Sequence, residues 1–198
     1  SGKSSANIAY DLCAFALGVH PFRETPRNAI IWVTSQTWEM VGKILYAEKI
    51  KPYLPGFQIA NIVWRNKGAG IPKEIILKNG NVIEFKAYEQ GREIFQGRQI
   101  DAFYGDEQCP HDAEAIWQEV QARLMDRNGF SAQSMTPIIP QDWLQEIDIS
   151  PPVGHDTFHA NLNDNRKSLG GYIDDTEIDA MIAEWPDEIR ETRIEGRF

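Results

Sequence analysis

The first four residues of the chain, Ser1-Gly2-Lys3-Ser4, constrain its fold more than any other stretch. They match the last half of a phosphate-binding loop, G-x-x-x-x-G-K-[ST]. In such a loop, backbone N–H groups and a helix N-terminus bind phosphate, the lysine reaches the β- and γ-phosphate oxygens, and the hydroxyl binds Mg²⁺. Because G-K-S also arises by chance, the rest of the chain has to decide between a nucleotide site and an ordinary turn before a core helix.

Composition limits the classes of protein to which the chain can belong. Its 198 residues are 42% hydrophobic and include six tryptophans, which favours one folded α/β domain with a real core. The formal net charge of −9 argues against a broad basic face for nucleic acid. Two cysteines, Cys13 and Cys109, are too few for a disulfide framework, which suits a reducing cytosol. The sequence contains no candidate membrane span and no signal-peptide pattern.

The first half of the chain alternates between helix and strand patterns. An apolar run from Ser4 to Leu17 predicts a buried helix directly behind G-K-S. The continuous apolar run 29–34 predicts a parallel strand covered on both faces, and the polar residues after it predict the start of a helix. Residues 75–78 and 82–85 flank Asn79-Gly80, a pair that readily adopts positive φ at both turn positions, and so predict a β-hairpin.

An acidic pair follows the next predicted strand, over residues 99–105. The pair is Asp106-Glu107, and a helix over 112–126 and a strand over 130–135 come after it. In open α/β sheets, ligands bind at the carboxyl ends of the strands, so the pair is placed for metal and water chemistry. A solvated acidic turn is the alternative, and the G-K-S sequence upstream favours the metal site.

The last part of the chain is more polar. The pattern predicts a short helix over 141–147, a last strand over 156–160, a helix that begins near Asp175 and a further helix from Pro186.

Other kinds of functional site have little support in the sequence. Cys109 and His111 have no second pair at zinc-ligand spacing, and there is neither a G-x-S-x-G motif nor a G-x-G-x-x-G motif.

Four motifs in this order resemble the ATPase domain of the large terminase subunits of tailed bacteriophages, which are DNA-packaging motors. The motifs are G-K-S, the strand end T-S-Q-T at 34–37, the Asp106-Glu107 pair and the strand end S-M-T-P at 134–137. The most specific stretch, F-Q-G-R-Q-I-D-A-F-Y-G-D-E at 95–107, looks like the family's lead-in to its Walker B strand. The resemblance spans the chain. It implies a P-loop NTPase fold of the RecA/ASCE type, a three-layer α/β sandwich with a mainly parallel central sheet and an inserted β-hairpin.

The resemblance also implies that the chain binds ATP and Mg²⁺, and it assigns a role to each matching residue. The roles are phosphate binding by Gly2, Lys3, Ser4 and Ser5; Mg²⁺ binding by Ser4 and, largely through water, by Asp106; activation of the attacking water by Glu107; coupling of phosphate loss to movement by Thr136; and stabilisation of transition-state charge by Arg98 or Arg92. For the two arginines, structural ion pairs are the alternative.

The implied domain organisation is an ATPase domain over 1–185, without its first strand and the first half of its phosphate loop, and the start of a linker over 186–198. A nuclease domain would follow the linker, so the chain as given is not expected to cut DNA. The implied partners are double-stranded DNA, the portal protein, the terminase small subunit and further copies of the chain in a ring. The implied location is the cytoplasm of the infected bacterium.

Two other functions remain open from the sequence. A helicase-like translocase has a similar order of motifs, but it needs a second RecA-like domain, for which this chain is too short. An assembly module that keeps the fold without hydrolysing ATP is favoured if Ser1 is a true N-terminus, because the phosphate loop is then incomplete. Titration with ATP and Mg²⁺ would separate these functions.

Overall fold

A computed structural model describes residues 5–196 of the chain. The chain divides into two compact units, Ser1–Met135 and Thr136–Phe198. The predicted phosphate ligands Gly2, Lys3 and Ser4 lie outside the described residues. The domain boundary near residue 185 stays a prediction.

A six-stranded sheet forms the centre of the first unit, in the order β2-β3-β4-β1-β5-β6. β1 is parallel to β4 and β5, and β5 is parallel to β6, whereas β2, β3 and β4 pair antiparallel. The predicted α/β fold with a mainly parallel sheet and an inserted hairpin is confirmed. The strands are β1 (Ile30–Ser35), β2 (Ile59–Asn66), β3 (Ile71–Leu77), β4 (Val82–Ala87), β5 (Ala102–Asp106) and β6 (Phe130–Ser134).

The predicted hairpin consists of β3 and β4, with Ile76 opposite Val82. Of the turn residues Asn79 and Gly80, only Gly80 has a positive φ, 89°, so the expectation of positive φ at both positions is wrong. β2 adds a third antiparallel strand that the sequence pattern does not indicate. Its pairing with β3 contains three register shifts, and these break the alternation of apolar and polar residues by which a strand is recognised.

The described part of the first unit, residues 5–135, contains three helices. α1 has a π-helical part, Ser5–Leu12, and an α-helical part, Cys13–Leu17, and it ends at Gly18 with φ 75°. α2 begins with Trp38–Met40 and continues as the π-helical segment Val41–Ile50. α3 spans Ala113–Met125. Short 3₁₀ turns lie at Gly56–Gln58, Tyr88–Gln90 and Arg92–Phe95.

The central strands β1 and β5 are buried on both faces, since nearly all of their residues are buried and successive side chains point to opposite sides of the sheet. Ile31 and Val33 of β1 belong to a core cluster that contains buried residues of α1 and α2, such as Leu12 and Leu45. Trp32, between them in sequence, is also buried, and its ring lies 6.1 Å from that of Phe95 in an edge-to-face contact. Each fully buried aliphatic side chain, such as that of Ile31 or Val33, contributes about 1.5–3 kcal/mol to the stability of the folded protein.

On the Trp32 side of the sheet, a polar cluster fixes the segment that leads into β5. Lys86 Nζ donates to the carbonyl of Ile94 at 2.7 Å and lies 4.0 Å from the centre of the Trp32 ring. Burial lowers the pKa of Lys86. Glu84 accepts a hydrogen bond from Trp32 Nε1 at 2.7 Å and forms an ion pair with Arg98. The segment before β5 is thus anchored at several points.

The beginning of β5 is fixed by the buried carboxylate of Asp101. Its Oδ2 accepts from the backbone N–H of Ile30 at 2.7 Å and from Arg127 at 2.9 Å. Next to it, Gly129 approaches the backbone closely: a Cβ there would lie 2.8 Å from the carbonyl oxygens of Ile100 and Asp101. Because these contacts set where β5 begins, they also set where its carboxyl end emerges.

The second unit consists of short helices and turns. Arg166 links two of its segments, since its guanidinium lies 2.6 Å from Asp179 and donates to the carbonyl of Asp175 at 3.2 Å. The elements are α4 (Asp142–Ile149), 3₁₀ turns at Leu162–Asn165 and Lys167–Leu169, α5 (Asp175–Glu184) and α6 (Asp187–Glu195).

The predicted strand over residues 156–160 is wrong. This segment has no regular secondary structure, and Phe158 is 88% exposed. A strand is stable when a neighbouring strand satisfies its backbone and a packed face buries alternate side chains, and this segment has neither in the described structure. Its anchor is instead His159, whose ring lies 2.8 Å from Asp148 Oδ1.

Within residues 5–196, no helix combines the length and the apolar character that a bilayer-spanning segment needs. The two cysteines do not form a disulfide, in agreement with the sequence. Cys13 is 3% exposed and Cys109 is 9% exposed.

Both thiols are expected to react slowly in the folded protein, because burial raises the pKa of Cys13 to about 12 and that of Cys109 to about 11. The thiolate is the reactive form, so at pH 8 Cys109 should react with a thiol reagent roughly 100-fold more slowly than an ordinary cysteine. Cys13 should be slower still. Reaction of the native and the urea-unfolded protein with a chromogenic disulfide tests this, and fast labelling of native Cys13 would contradict the burial described here.

Candidate functional site

The carboxyl ends of three parallel strands lie at one edge of the sheet. Thr34 of β1 is in register with Gly105 of β5, which places Ser35 level with Asp106, and Asp106 is in register with Ser134 of β6. The three side chains lie on the same face as α1 and α2, because they alternate in phase with residues of that core. We call Ser35, Asp106 and Ser134 the strand-end row.

Asp106 is the charged centre of the row. Its Oδ1 accepts a hydrogen bond from Ser134 Oγ at 3.2 Å, and its Oδ2 lies 3.0 Å from the ammonium of Lys49, in the last turn of α2. The Asp106 side chain is 2% exposed and that of Lys49 is 14% exposed. Burial of a carboxylate is costly unless an ion pair and hydrogen bonds compensate for the lost water, and the fold supplies both.

Ser35 occupies the next position along the row. The residue is fully buried, and its Oγ has no hydrogen-bond partner among the described residues. A buried hydroxyl without a partner costs about 1–3 kcal/mol, so such groups are uncommon and often mark functional positions. The row therefore offers one paired carboxylate and one unused hydroxyl on adjacent strands.

Glu107 follows Asp106 in an unusual backbone conformation. Its φ is 68°, in the left-handed region, and its N–H donates to the carbonyl of Ser134 at 2.8 Å. This conformation costs a residue with a side chain roughly 1–2 kcal/mol, and the surrounding structure must hold it in place. The half-buried Glu107 side chain thus leaves the sheet edge in a direction that a continued strand would not give it.

The amino end of α1 lies at this same edge. Asn7 donates to the carbonyl of Ala132 in β6 at 3.3 Å, and one turn later Asp11 accepts from the hydroxyl of Tyr104 in β5 at 2.6 Å. The described part of α1 thus runs from Ser5 alongside β6, with its N-terminal end, the end of a helix that attracts anions, towards this edge. Because Lys3 precedes the described residues, its predicted proximity to Asp106 stays a prediction.

The two candidate arginines are engaged elsewhere in the first unit. Arg92 donates to Glu119 Oε1 from two nitrogens, at 2.9 and 2.6 Å. Arg98 pairs with Glu84, which is level with Trp32 and therefore on the sheet face opposite the strand-end row. Both arginines have the structural ion pairs that the sequence left as the alternative, and a role in charge stabilisation stays a prediction.

Thr136, the predicted coupling residue, is the first residue of the second unit. It is half-buried, and its carbonyl accepts from the N–H of Ile138 at 2.8 Å. Its coupling role stays a prediction.

The donor atoms of the strand-end row fit Mg²⁺. Residues 5–196 contain no group of three or more His, Cys, Asp or Glu side chains that would hold a metal by themselves. The row instead offers a carboxylate and hydroxyl oxygens, and Mg²⁺ prefers oxygen ligands and is commonly held by one or two carboxylates together with substrate phosphates. Asp106 is the residue in the described structure that suits this role.

Sequence reasoning missed Lys49, and it noted Ser35 within the strand end T-S-Q-T without giving it a role at the site. Lys49 lies outside the apolar stripe of α2, which predicts a solvent-facing residue, and nothing in the spacing links it to Asp106, 57 positions away. Ser35 looks like an ordinary residue between a strand and a helix. Ser134 carries a usable signal, because it alternates in phase with the core-facing Phe130 and Ala132.

Comparison with known families identifies the chain. The family model for the terminase large subunit, T4likevirus-type, N-terminal, matches residues 1–137. The chain belongs to this family. The family that the sequence resembles is thereby confirmed, and the match contains the whole strand-end row and Lys49.

A solved structure supports the same fold. The ATPase domain of the Thermus phage P74-26 large terminase superposes with a TM-score of 0.58 at 14% identity, over 86% of this chain and 77% of that one. A search among curated proteins gives no match. The terminase chain therefore has the fold of a large-terminase ATPase domain, and its strand-end row lies where ligands bind in such sheets.

The left-handed backbone at Glu107 gives a test of this geometry. Replacing Glu107 with Gly should leave the protein about 1 kcal/mol more stable than replacing it with Ala, because glycine adopts a φ of 68° without strain. Urea unfolding of the two variants measures the difference. Equal stabilities, or a more stable alanine variant, would contradict the left-handed conformation.

Proposed function

We propose that this terminase chain hydrolyses ATP with the help of Mg²⁺, and that hydrolysis drives double-stranded viral DNA into a procapsid. The observation that carries the proposal is Asp106, a buried carboxylate at the carboxyl end of β5, with Glu107 directly after it. Membership of the terminase large-subunit family supports it. The solved structure of similar fold is described as an ATPase domain.

In this proposal, the phosphates bind at the beginning of α1. Gly2, Lys3, Ser4 and Ser5 contribute backbone N–H groups, the lysine ammonium and hydroxyls, and the positive end of the helix favours the phosphate charge. Ser4, together with Asp106 through water, would hold Mg²⁺. When bound, Mg²⁺ neutralises charge on the phosphate oxygens.

Glu107 is the proposed catalytic base. It accepts a hydrogen bond from the attacking water and orients that water in line with the bond to be broken. Its strained backbone and the bond from its N–H to Ser134 fix the direction of the side chain, so the geometry is set before the substrate arrives. No covalent intermediate is needed, because positioning and charge stabilisation supply the acceleration.

Two further roles complete the proposal. Thr136 couples loss of the γ-phosphate to movement. Its position suits this role, because it follows β6 and is the first residue of the second unit. Arg98 or Arg92 would stabilise the transition state only after leaving its carboxylate partner, Glu84 or Glu119. An arginine from a neighbouring copy of the chain in a ring would do the same without breaking either pair.

The proposed partners follow from membership of the terminase family. They are double-stranded DNA, the portal protein, the terminase small subunit and further copies of the chain, and the work takes place in the cytoplasm of the infected bacterium. Cleavage of DNA is not part of the proposal for this chain.

Replacing Glu107 with Gln should lower ATP turnover by at least about 100-fold while leaving nucleotide binding nearly unchanged. The amide keeps the size of the side chain but cannot take up a proton. A phosphate-release assay measures turnover, and displacement of a fluorescent nucleotide measures binding. The complete gene product that contains this chain is the material to use.

The matched control is Glu114→Gln, which makes the same change on an exposed residue of α3. Near-normal hydrolysis in the Glu107 variant would remove Glu107 from the role of base. Binding without turnover in the unmodified protein would favour an assembly module, and DNA unwinding would favour a helicase-like translocase.

The chain by itself is expected to bind DNA weakly, because its formal net charge is −9. Fluorescence anisotropy with a labelled duplex should give a Kd weaker than about 10 μM even at low salt. Sub-micromolar binding that falls steeply with salt would show instead that a local basic surface outweighs the net charge.

A further inference from the structure

The contact between Lys49 and Asp106 has a consequence for metal binding. Lys49 projects from the last turn of α2 and places its ammonium 3.0 Å from Asp106 Oδ2. Both side chains are largely buried. This is therefore a shielded ion pair, unlike the surface pair of Lys43 with Glu39 on the same helix, where both side chains are more than 70% exposed.

The two oxygens of Asp106 have different partners. Oδ1 is held by the hydroxyl of Ser134, a residue fixed in β6, whereas Oδ2 is held by a lysine on a flexible side chain. The pair with Lys49 is the one that can exchange without moving the sheet. Beside it, the buried Ser35 hydroxyl has no partner among the described residues and offers another oxygen to an incoming cation.

We infer that Lys49 is a built-in competitor of Mg²⁺ for Asp106. This inference rests on the proposed function, and it makes Lys49 a positioning residue that acts through Asp106. The ammonium holds the buried carboxylate in place before the metal–nucleotide complex binds. When the complex binds, the water shell of the metal must displace the ammonium from Oδ2 of Asp106. Part of the affinity for the metal is spent on that displacement, so the ion pair sets the Mg²⁺ concentration at which the site fills.

Removing the charge of Lys49 should therefore allow Mg²⁺ to fill the site at a lower concentration. In the complete gene product, we would measure the thermal midpoint with a non-hydrolysable ATP analogue while free Mg²⁺ is varied. Lys49→Met keeps the length of the side chain and should lower the half-saturating Mg²⁺ concentration about tenfold. Lys43→Met, on the same helix, is the matched control and should leave it unchanged.

Stability without ligand provides a second readout. With neither nucleotide nor Mg²⁺ added, Lys49→Met should melt at a lower temperature than Lys43→Met, because it leaves a buried carboxylate without its cation. The double variant Lys49→Met/Asp106→Asn should regain most of that loss. If Lys49→Met does not fold, Lys49→Gln keeps a hydrogen-bond donor to Asp106 and should shift the Mg²⁺ dependence in the same direction.

The outcomes separate the two proposals. A half-saturating Mg²⁺ concentration in the folded Lys49 variants that equals or exceeds that of the unmodified protein would overturn the competition, and an increase would point to Lys49 as a phosphate ligand. In either case, the proposed function would stand if the unmodified protein shows Mg²⁺-dependent nucleotide binding and turnover. If the unmodified protein shows none, both proposals fail.

Discussion

A single buried carboxylate, that of Asp106, organises the functional edge of this terminase chain. A charge in a site 2% exposed is stable only with a cation and a hydrogen-bond donor nearby, and these come from Lys49 in α2 and Ser134 in β6. The requirement ties together a helix and two strands that are distant in sequence. The architecture of the first unit can be understood as the frame that keeps these three elements in place.

That frame is built mainly from apolar packing and from a few buried polar contacts far from the edge. Asp101 anchors the start of β5 to β1 and to Arg127. The segment before β5 is anchored by the polar cluster beside Trp32, in which Lys86 takes part. With the beginning of β5 fixed, its carboxyl end cannot slide in register. The strand can then support the strained backbone at Glu107, because neighbouring hydrogen bonds hold that residue in a conformation it would otherwise avoid.

The first unit has buried or partly buried ion pairs on both faces of the sheet. Arg98 and Glu84 pair on the face that carries Trp32, and Arg92 pairs with Glu119 of α3. On the opposite face, Lys49 is the cation that contacts Asp106 in the described structure. A lysine already present at the carboxylate that we propose to hold Mg²⁺ would, in that proposal, connect occupancy of the site to the position of a side chain on α2. The arrangement of the motifs along the chain does not suggest this contact.

The sequence by itself determined the family, the α/β class, the hairpin and the position of Asp106 and Glu107 at a strand end, because these depend on local patterns of apolar residues and on short motifs. The local pattern of residues did not predict strands correctly where strand pairing was irregular or absent. The strand β2 was missed, and the predicted strand at 156–160 was wrong. Only the tertiary structure decided that Lys49 meets Asp106, that the Ser35 hydroxyl is buried without a partner in the described structure, and that both arginines are already paired. These contacts join residues far apart in the chain, and the packing of helices on the sheet, which no short stretch of sequence encodes, brings them together.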